Sequence, residues 1–384
     1  MTPYKILILS CNTGEGHNSA ARALQNYARS VGIDCDLLDA LSLRYERVSK
    51  IVSGLYDASV KLSLFSSIYA LGEWYSDRKH NGKSPVYHLC KLLRGRLSQV
   101  ISDNAYNAVI CTHLFPAEML TYFRLENKLH IPAFFVSTDY TCYPFLSETD
   151  LEGYMIAHSD LIPEYARKGM PAEKIFATGI PCLSGALYAK TSRMEARQKI
   201  ESEYWWDCSS YKGKWFLIIG GSMGFGNLEN LINELRDSCA ADDKIVCVCG
   251  KNKRLKRNLG KKFKDSSIVK LLGYTDKIPL LMDACDVLLT KPGGLTSTEA
   301  MKREIPLVHT LPIKGVEDKN ARFYSDRNIS FYSDDYRIAA RYAVKLSKEK
   351  ECRKTMLDAQ KDNRTMSSCK LIIDHIISRL NNKA

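Results

Sequence analysis

Short apolar runs alternate along the chain with longer stretches in which apolar residues recur every three or four positions. The longer stretches predict amphipathic helices, because that spacing places the apolar side chains on one face. The short runs predict two series of strands, at 4–10, 35–39, 108–112, 132–138, 153–157 and 174–178, and at 215–220, 244–249, 267–272, 286–290, 306–310 and 329–332. This alternation is typical of α/β domains with parallel, doubly wound sheets.

A charged stretch between the two series predicts the domain boundary. It contains a helix at about 191–203 and a polar segment that ends at Gly213. Each half opens with a buried strand, a glycine-rich turn and a helix, which predicts two Rossmann-like domains in tandem. The expected order is a first domain at 1–181, a linker at 182–213, a second domain at 214–364 and a C-terminal helix that crosses back toward the first domain at 365–384.

The composition suits two globular domains and favours binding to a polyanion. The 384 residues are 45% hydrophobic and 26% charged, and the formal net charge is +12. Such a chain is attracted to nucleic acid, anionic lipid or nucleotide phosphates, and charge alone does not choose among them. No apolar run reaches the roughly 18–20 residues that span a bilayer, so we expect any membrane contact to be peripheral.

The 13 cysteines are scattered and predict free thiols in a reducing compartment. They form no CxxC pair and no cluster with histidine at zinc-binding spacing. Cys247 and Cys249 are separated by one residue, and we expect their side chains on opposite faces of a strand. The cysteines therefore suggest no metal centre.

The first glycine-rich turn, with Gly14 and Gly16, leads from the first strand into a helix and carries His17. We expect His17 at the start of this helix, facing the crevice at the carboxyl ends of the strands. A helix N-terminus lowers the pKa of a histidine, which suits a base that must begin neutral. The alternative is a histidine that only caps the helix.

The second turn follows the strand at 215–220 and contains Gly220, Gly221, Ser222 and Gly224. Backbone N–H groups in such a turn can bind an anion such as a diphosphate. A P-loop is excluded, because no Gly-Lys-Ser/Thr follows. A dinucleotide site fits poorly, because no acidic residue ends the next strand.

A third turn, at Pro292, Gly293 and Gly294, also leads into a helix. Thr296 lies three residues before Glu299, which is the spacing of a capping box. The functional alternative is a second phosphate cradle in the same domain, with Glu299 accepting hydrogen bonds from ribose hydroxyls.

Several motifs in a fixed order resemble a known family. They are Gly220-Gly221-Ser222-x-Gly224, Cys249-Gly250-Lys251-Asn252, Gly273-Tyr274, Lys291-Pro292-Gly293-Gly294-x-Thr296-x-x-Glu299 and Glu317-x-x-Asn320. This order looks like the nucleotide-sugar half of the monogalactosyldiacylglycerol synthase family, which includes processive diacylglycerol glycosyltransferases. The turn at 14–21 is similar to the family's N-terminal Gly-Gly-Gly-His turn, and Thr112-His113 and Ser137-Thr138-Asp139 resemble segments of its acceptor half.

The resemblance implies a GT-B fold, in which two Rossmann-like domains face a central cleft. In the donor half, Gly220, Gly221, Ser222 and Gly224 would hold one side of the diphosphate, and Pro292, Gly293, Gly294 and Thr296 the other. Glu299 would bind ribose, Gly250, Lys251, Asn252, Gly273 and Tyr274 would line the uracil pocket, and Glu317 and Asn320 would contact sugar hydroxyls. The departures at Asn12-Thr13, Tyr143-Pro144 and Val316 leave the identity of the sugar and of the acceptor open.

The implied reaction is an inverting transfer of a hexose from a UDP-sugar, with no metal and no separate cofactor. Helix N-termini can stabilise the charge that develops on the leaving diphosphate. Asp34-Cys35-Asp36 spells the Asp-x-Asp of metal-dependent transferases, but it opens the second predicted strand, far from the carboxyl ends. His17 is the candidate base, with Asp139 as the alternative or as its orienting partner.

Residues 44–100 combine aromatic and aliphatic side chains with many lysines and arginines, a mixture that interfacial helices use. The resemblance implies that this region docks the acceptor half on a membrane. The expected acceptor-side residues are Gly14, Gly16, Phe65, Tyr69, Trp74, His113, Thr138 and Tyr143. An ordinary amphipathic helix with a solvated basic face is the alternative.

The expected partners are a UDP-sugar, diacylglycerol or a related lipid, and an anionic membrane surface. The expected location is the cytoplasmic, inner face of the cell membrane, held peripherally. A second basic run at 251–264 is either a solvated face or a further contact with anionic headgroups. We expect no nucleic-acid binding, because no stacking aromatics or groove-reading motif accompany these charges.

Two other functions fit the same architecture. One is transfer of N-acetylglucosamine to a polyprenyl-linked cell-wall precursor, and the other is epimerisation of a UDP-sugar. A membrane sensor of UDP-sugars without catalysis is a third alternative, although His17 and Asp139 argue against it.

Overall fold

The computed structural model describes residues 4–61, 64–78, 82–183, 189–204, 213–221 and 227–382. The chain divides into two compact units. Unit 1 comprises Met1–Ser184, Lys314–Val316 and Thr365–Ala384, and unit 2 comprises Gly185–Ile313 and Glu317–Arg364.

The strands, numbered in chain order, are β1 Lys5–Ser10, β2 Asp34–Asp39, β3 Ala108–Cys111, β4 Ala133–Val136, β5 Gly153–Ile156, β6 Ile175–Ala177, β7 Trp215–Ile219, β8 Lys244–Val248, β9 Val269–Leu272, β10 Val287–Thr290, β11 Leu307–His309 and β12 Phe331–Tyr332. The helices are α1 Glu15–Ser30, α2 Glu46–Lys61, α3 Phe65–Ser76, α4 Pro85–Leu93, α5 Leu97–Asp103, α6 Leu114–Leu125, α7 Ile162–Arg167, α8 Arg193–Tyr204, α9 Leu228–Arg236, α10 Lys253–Lys262, α11 Ile278–Ala284, α12 Gly294–Arg303, α13 Val316–Ser325, α14 Tyr336–Lys348, α15 Lys350–Asn363 and α16 Ser368–Asn381. Each predicted strand is confirmed to within two residues at either end.

Each unit contains one six-stranded parallel sheet. The strand order is β2-β1-β3-β4-β5-β6 in unit 1 and β12-β11-β10-β7-β8-β9 in unit 2. In unit 1 the chain leaves β1 toward β2 and returns on the other side at β3, and in unit 2 it leaves β7 toward β8 and returns at β10. The loops after these paired strands diverge, and ligands of open α/β sheets bind where they do.

The core of unit 1 forms where the apolar faces of helices cover the sheet. Ile6 and Ile8 of β1 are completely buried, and so are Ala20 and Ala21 of α1, whose small side chains let that helix lie close to the sheet. Residues of α16, including Ile372 and Ile376, belong to the same buried cluster. The C-terminal helix therefore completes the core of unit 1.

Part of the segment that we expect as a linker belongs to unit 2. Within it, α8 packs against α11. The buried guanidinium of Arg197 on this helix binds Asp286 Oδ2 at 2.7 Å and the carbonyl of Ala284 at 2.9 Å. These contacts fix α8 to unit 2, and the division between the units falls at Ser184. Residues 205–212 lie outside the described residues.

The predicted arrangement of Cys247 and Cys249 is wrong. Both side chains belong to one buried cluster of unit 2, and their thiols form a hydrogen bond. Residues two apart in a strand point to the same face, which accounts for this pairing. The hydrogen bond lowers the pKa of Cys249 and raises that of Cys247.

Candidate active site

The loop after β1 sets His17 at the switch point of the unit 1 sheet. Gly14 has φ +123°, a conformation that side-chain-bearing residues rarely adopt, and α1 begins at the next residue. His17 is therefore in the first turn of α1. The chain after β3 supplies Thr112 and His113 on the other side of the switch point.

Hydrogen bonds define the tautomer of His17. Its Nδ1 lies 2.7 Å from the backbone oxygen of Thr112 and 2.9 Å from Thr138 Oγ1. A carbonyl oxygen only accepts, so Nδ1 carries the proton and donates it. The other ring nitrogen, Nε2, is then the one with a lone pair that can take up a proton.

Burial keeps His17 neutral. Removal from water lowers the pKa of His17 below its usual value of 6.5, although the charge of Asp139 and the bond to Thr112 act in the opposite direction. A neutral imidazole at pH 7 is the form that a general base requires. The expected helix-terminus effect is therefore not needed to explain the direction of this shift.

His113 has a structural role, as a helix cap. Its Nδ1 accepts a hydrogen bond from the backbone N–H of Phe115 at 3.1 Å and so caps α6. Its Nε2 must then carry the proton, and it lies 2.9 Å from Thr13 Oγ1. Burial and the neighbouring His17 lower the pKa of His113 far below the usual value. The two rings meet edge to face, with centroids 4.7 Å apart, so His113 supports the ring of His17.

Thr138, Asp139 and Tyr143 form a second layer behind His17. The phenol of Tyr143 donates to Asp139 Oδ2 at 2.5 Å and lies 3.0 Å from Thr138 Oγ1. Burial, together with Asp139, raises the pKa of Tyr143 well above 10, so the phenol keeps its proton. The structure thus joins four of the predicted residues, His17, Thr138, Asp139 and Tyr143, into one network.

The switch point of unit 2 carries two of the predicted glycine turns. Gly221 follows β7 with φ +74°, a conformation that favours glycine, and a Cβ there would lie 2.6 Å from Lys291 Cε, so the lysine side chain lies directly over this residue. Lys291 directly follows β10, the neighbour of β7. Ser222 and Gly224 lie outside the described residues.

The third turn places the N-terminus of α12 at the same edge of the sheet. Gly293 is its N-cap residue, and the helix begins at Gly294. The capping box expected from Thr296 and Glu299 is not formed, because both residues lie inside the helix. The N-terminus of this ten-residue helix is suited to a bound anion.

Glu299 is partly buried on α12. Burial raises its pKa to about 7, while Arg303 and Lys302 act in the opposite direction. The carboxyl group therefore changes its charge near neutral pH.

Two residues expected at the sugar hydroxyls are held by protein groups in this structure. Glu317 is 5% exposed, forms an ion pair with Lys291 through Oε1 and accepts the N–H of Ile313 through Oε2 at 2.7 Å. Asn320 is completely buried and donates from Nδ2 to the carbonyl of Pro292 at 2.9 Å. Lys291 is not among the residues that the sequence predicts at the site. Its position directly after a strand, in the third motif, could have indicated it.

The residues expected around uracil also come together. Gly250 and Gly273 end neighbouring strands, and a Cβ on Gly273 would lie 3.9 Å from the Gly250 oxygen. The ammonium of Lys251 lies 5.4 Å from the ring centroid of Tyr274, which is exposed. Asn252 caps α10 by accepting from the N–H of Leu255.

The helices of residues 44–100 expose an unusual amount of apolar surface. Along α3 the exposed side chains form a row, which we call the α3 stripe: Leu64, Ile68, Leu71 and Trp74. The guanidinium of Arg78 lies 3.7 Å from the ring centroid of Trp74. Phe65 and Tyr69 are partly buried and in mutual ring contact, with centroids 6.0 Å apart. Other apolar side chains of residues 44–100 are also exposed: Tyr45, Ile51, Leu55, Leu89 and Leu92.

The described residues contain neither a cluster of metal ligands nor a membrane-spanning helix. Among the described residues, no three histidine, cysteine or acidic side chains converge as metal ligands, and no helix has the length and apolarity to cross a membrane. Asp34 and Asp36 begin β2 at the edge of the sheet opposite the switch point, and Asp36 accepts from the phenol of Tyr106 at 2.7 Å. The basic side chains of α10 are exposed, and Lys262 pairs with Glu229.

Two family models match consecutive halves of the chain. The model for monogalactosyldiacylglycerol (MGDG) synthase matches residues 17–182, and the model for the glycosyltransferase family 28 C-terminal domain matches residues 216–376. The processive diacylglycerol beta-glucosyltransferase of Bacillus pumilus is 28% identical over 383 residues, which cover 98% of this chain and 96% of that protein.

Solved structures share the fold. Acinetobacter baumannii MurG superposes with a TM-score of 0.61 at 13% identity, covering 98% of this chain and all of that one. The UDP-GlcNAc 2-epimerase of Neisseria meningitidis, bound to UDP-GlcNAc, gives 0.62 at 12% identity, covering 97% of this chain and all of that one. The predicted GT-B fold is thus confirmed, and the fold by itself does not separate transferase from epimerase.

Proposed function

Because this chain belongs to the glycosyltransferase family that joins an MGDG synthase domain to a family 28 C-terminal domain, we propose that it transfers glucose or galactose from a UDP-sugar to diacylglycerol at a membrane surface. The observation that carries the proposal is the neutral His17, whose Nδ1 is held by a backbone carbonyl so that Nε2 is ready to accept a proton. Activation of a lipid hydroxyl requires such a group.

In the proposed step, the hydroxyl oxygen of diacylglycerol attacks the anomeric carbon of the sugar. A new C–O bond forms on the face opposite the diphosphate, and the bond from the anomeric carbon to the diphosphate oxygen breaks, leaving its electron pair on UDP. The proton of the hydroxyl passes to His17 Nε2. The configuration at the anomeric carbon is inverted, because the reaction is a single displacement.

The imidazolium that forms is stabilised by its surroundings. Asp139 raises the pKa of His17, so its negative charge favours the protonated ring once the proton arrives. Thr138 and Tyr143 hold this carboxylate and the imidazole in one hydrogen-bonded network. We therefore assign His17 as the base and Asp139 as the group that orients it and balances its charge.

Unit 2 is the proposed donor site. The turn at Gly220 and Gly221 and the N-terminus of α12 would bind the diphosphate, and Glu299 would bind the ribose. The loops with Lys251 and Tyr274 would hold uracil. The helix N-terminus would stabilise the charge on the leaving UDP, so the proposed reaction uses no metal and no separate cofactor.

The α3 stripe is the proposed membrane contact. Its apolar side chains would enter the outer part of the bilayer, and the exposed basic residues nearby, Arg44, Arg47 and Lys50, would attract anionic headgroups. The proposed location is peripheral, on the cytoplasmic face of the cell membrane. It also favours a lipid acceptor over the epimerase alternative, which would have no use for such a surface.

The experiment that tests the function offers one donor at a time to the protein with vesicles. UDP-glucose, UDP-galactose and UDP-GlcNAc are each incubated with and without diacylglycerol, in the presence of EDTA, and released UDP and glycolipid are measured. We expect glycolipid only with diacylglycerol and one of the two hexose donors. An interconverted UDP-sugar without lipid, or transfer only to a polyprenyl-linked acceptor, would replace the proposal with the corresponding alternative.

A further inference from the structure

Lys291 lies where the proposed donor site needs a positive charge. It directly follows β10, and its side chain crosses over Gly221 of the turn after β7. Its ammonium group pairs with Glu317, a carboxylate that is almost completely buried. The lysine side chain itself is 21% exposed.

The contacts of Glu317 show that the ion pair of Lys291 and Glu317 lies beside the N-terminus of α12. Glu317 Oε2 accepts the N–H of Ile313, and Oε1 lies 3.7 Å from where a Cβ on Gly293 would be, at the N-cap of α12. Asn320, one turn further along α13, holds the carbonyl of Pro292. The pair therefore joins the three chain segments that border the proposed diphosphate site.

We propose that Lys291 binds the diphosphate and neutralises the charge of the leaving UDP, and that Glu317 holds its ammonium group until the donor arrives. The proposal rests on the proposed function of unit 2. An anion that binds at Gly221 meets this ammonium group, because a Cβ on Gly221 would lie only 3.8 Å from Lys291 Nζ. The charge on the leaving group is greatest in the transition state, so a fixed cation here favours bond cleavage.

The movement of Lys291 to the diphosphate would also let Glu317 bind the sugar of the donor. When Lys291 moves to the diphosphate, Glu317 Oε1 loses its partner and becomes an acceptor for a sugar hydroxyl. A buried carboxylate requires such a partner, since an unpaired one is costly. The donor would thus be bound by a swap of partners, in which the ammonium takes the phosphate and the carboxylate takes the sugar.

The test compares binding of UDP and of uridine by calorimetry at fixed ionic strength. For Lys291→Met we expect UDP binding to weaken by about 10- to 100-fold while uridine binding changes less than about twofold, because uridine has no diphosphate. Lys291→Arg should keep most of the UDP affinity. Lys262→Met, which removes an exposed charge from α10 in the same unit, should change neither constant.

Two further variants separate a ligand contact from a structural role. Lys291→Met combined with Glu317→Gln removes both charges, so no buried carboxylate is left unpaired. It should bind UDP as weakly as Lys291→Met alone. Glu317→Gln alone frees the ammonium group and should tighten UDP binding several-fold. Wild-type affinity for UDP in the double variant would overturn the proposal, as would weaker UDP binding in Glu317→Gln.

Failure of the proposed function gives a different result. If the wild-type protein bound no uridine nucleotide, the donor site itself would be wrong. If it bound UDP well and the double variant bound it equally well, only the role of Lys291 would be lost.

Discussion

The two units place different chemistry at the same point of similar sheets. In unit 1 the loops after β1, β3 and β4 bring together uncharged imidazoles, threonines and a phenol, with Asp139 as their carboxylate. In unit 2 the loops after β7 and β10 and the first turn of α13 bring together glycine backbone and an ion pair. The first arrangement is suited to moving a proton, and the second to holding an anion.

The difference teaches how each site obtains its properties. Burial suppresses charge in unit 1, since it lowers the pKa of both His17 and His113. In unit 2 the buried carboxylate of Glu317 is compensated by its ion pair with Lys291. Similar topologies therefore supply the position of a site, and the loop residues decide its chemistry.

The largest effect should follow from removing the base of unit 1. His17→Ala should lower kcat by about 10²–10⁴, because it removes the group proposed to take the proton from the acceptor. UDP affinity should stay within about twofold of wild type, since the donor site belongs to unit 2. Turnover and calorimetric binding of UDP measure the two effects. His130→Ala, which changes an exposed histidine of unit 1, is the control and should behave as wild type. An unchanged kcat for His17→Ala would remove His17 from the mechanism.

A smaller effect should follow from changing the proposed membrane contact of unit 1. Leu71→Ser combined with Trp74→Ser removes two exposed apolar side chains of the α3 stripe. Since burial of one large apolar side chain contributes about 1.5–3 kcal/mol, vesicle binding should fall by at least about tenfold. Co-sedimentation with anionic vesicles measures it, and UDP binding should not change.

The matched control for the stripe is Leu125→Ser, at an exposed leucine on the end of α6. It should leave vesicle binding as in wild type. Equal loss in this control would mean that apolar surface in general, and not the stripe, binds the membrane.

The smallest effect concerns the pH dependence of unit 2. The pKa of Glu299 is raised to about 7, so its carboxylate is present above that pH and is protonated below it. A neutral carboxyl is a poorer acceptor for ribose hydroxyls, and uridine affinity should therefore fall several-fold between pH 8 and pH 6. Calorimetry with uridine measures this without interference, because uridine carries no phosphate that titrates in the range.

Glu299→Gln sharpens this prediction, since glutamine does not titrate. Its uridine affinity should not vary with pH, whereas His17→Ala should keep the wild-type dependence because that change lies in unit 1. A dependence that persisted in Glu299→Gln would show that another group titrates.

The fold could be predicted because its signals are local. All twelve strands followed from short apolar runs, and the small residues after Gly14 correctly indicated a helix that lies close to its sheet. The expected linker, part of which belongs to unit 2, shows the limit of local signals. Nothing local in the sequence of α8 announces that Arg197 will bind Asp286, which lies 89 residues later.

The candidate site shows the same division between what local sequence determines and what the tertiary structure decides. The sequence by itself determined which residue types stand at the ends of the strands, because each strand and the turn after it are contiguous in the chain. Only the tertiary structure decided which of those ends become neighbours, and hence the tautomer of His17, the capping role of His113 and the pairing of Lys291 with Glu317. Hydrogen bonds and burial act between segments far apart in sequence, so protonation and partner are properties of the folded chain.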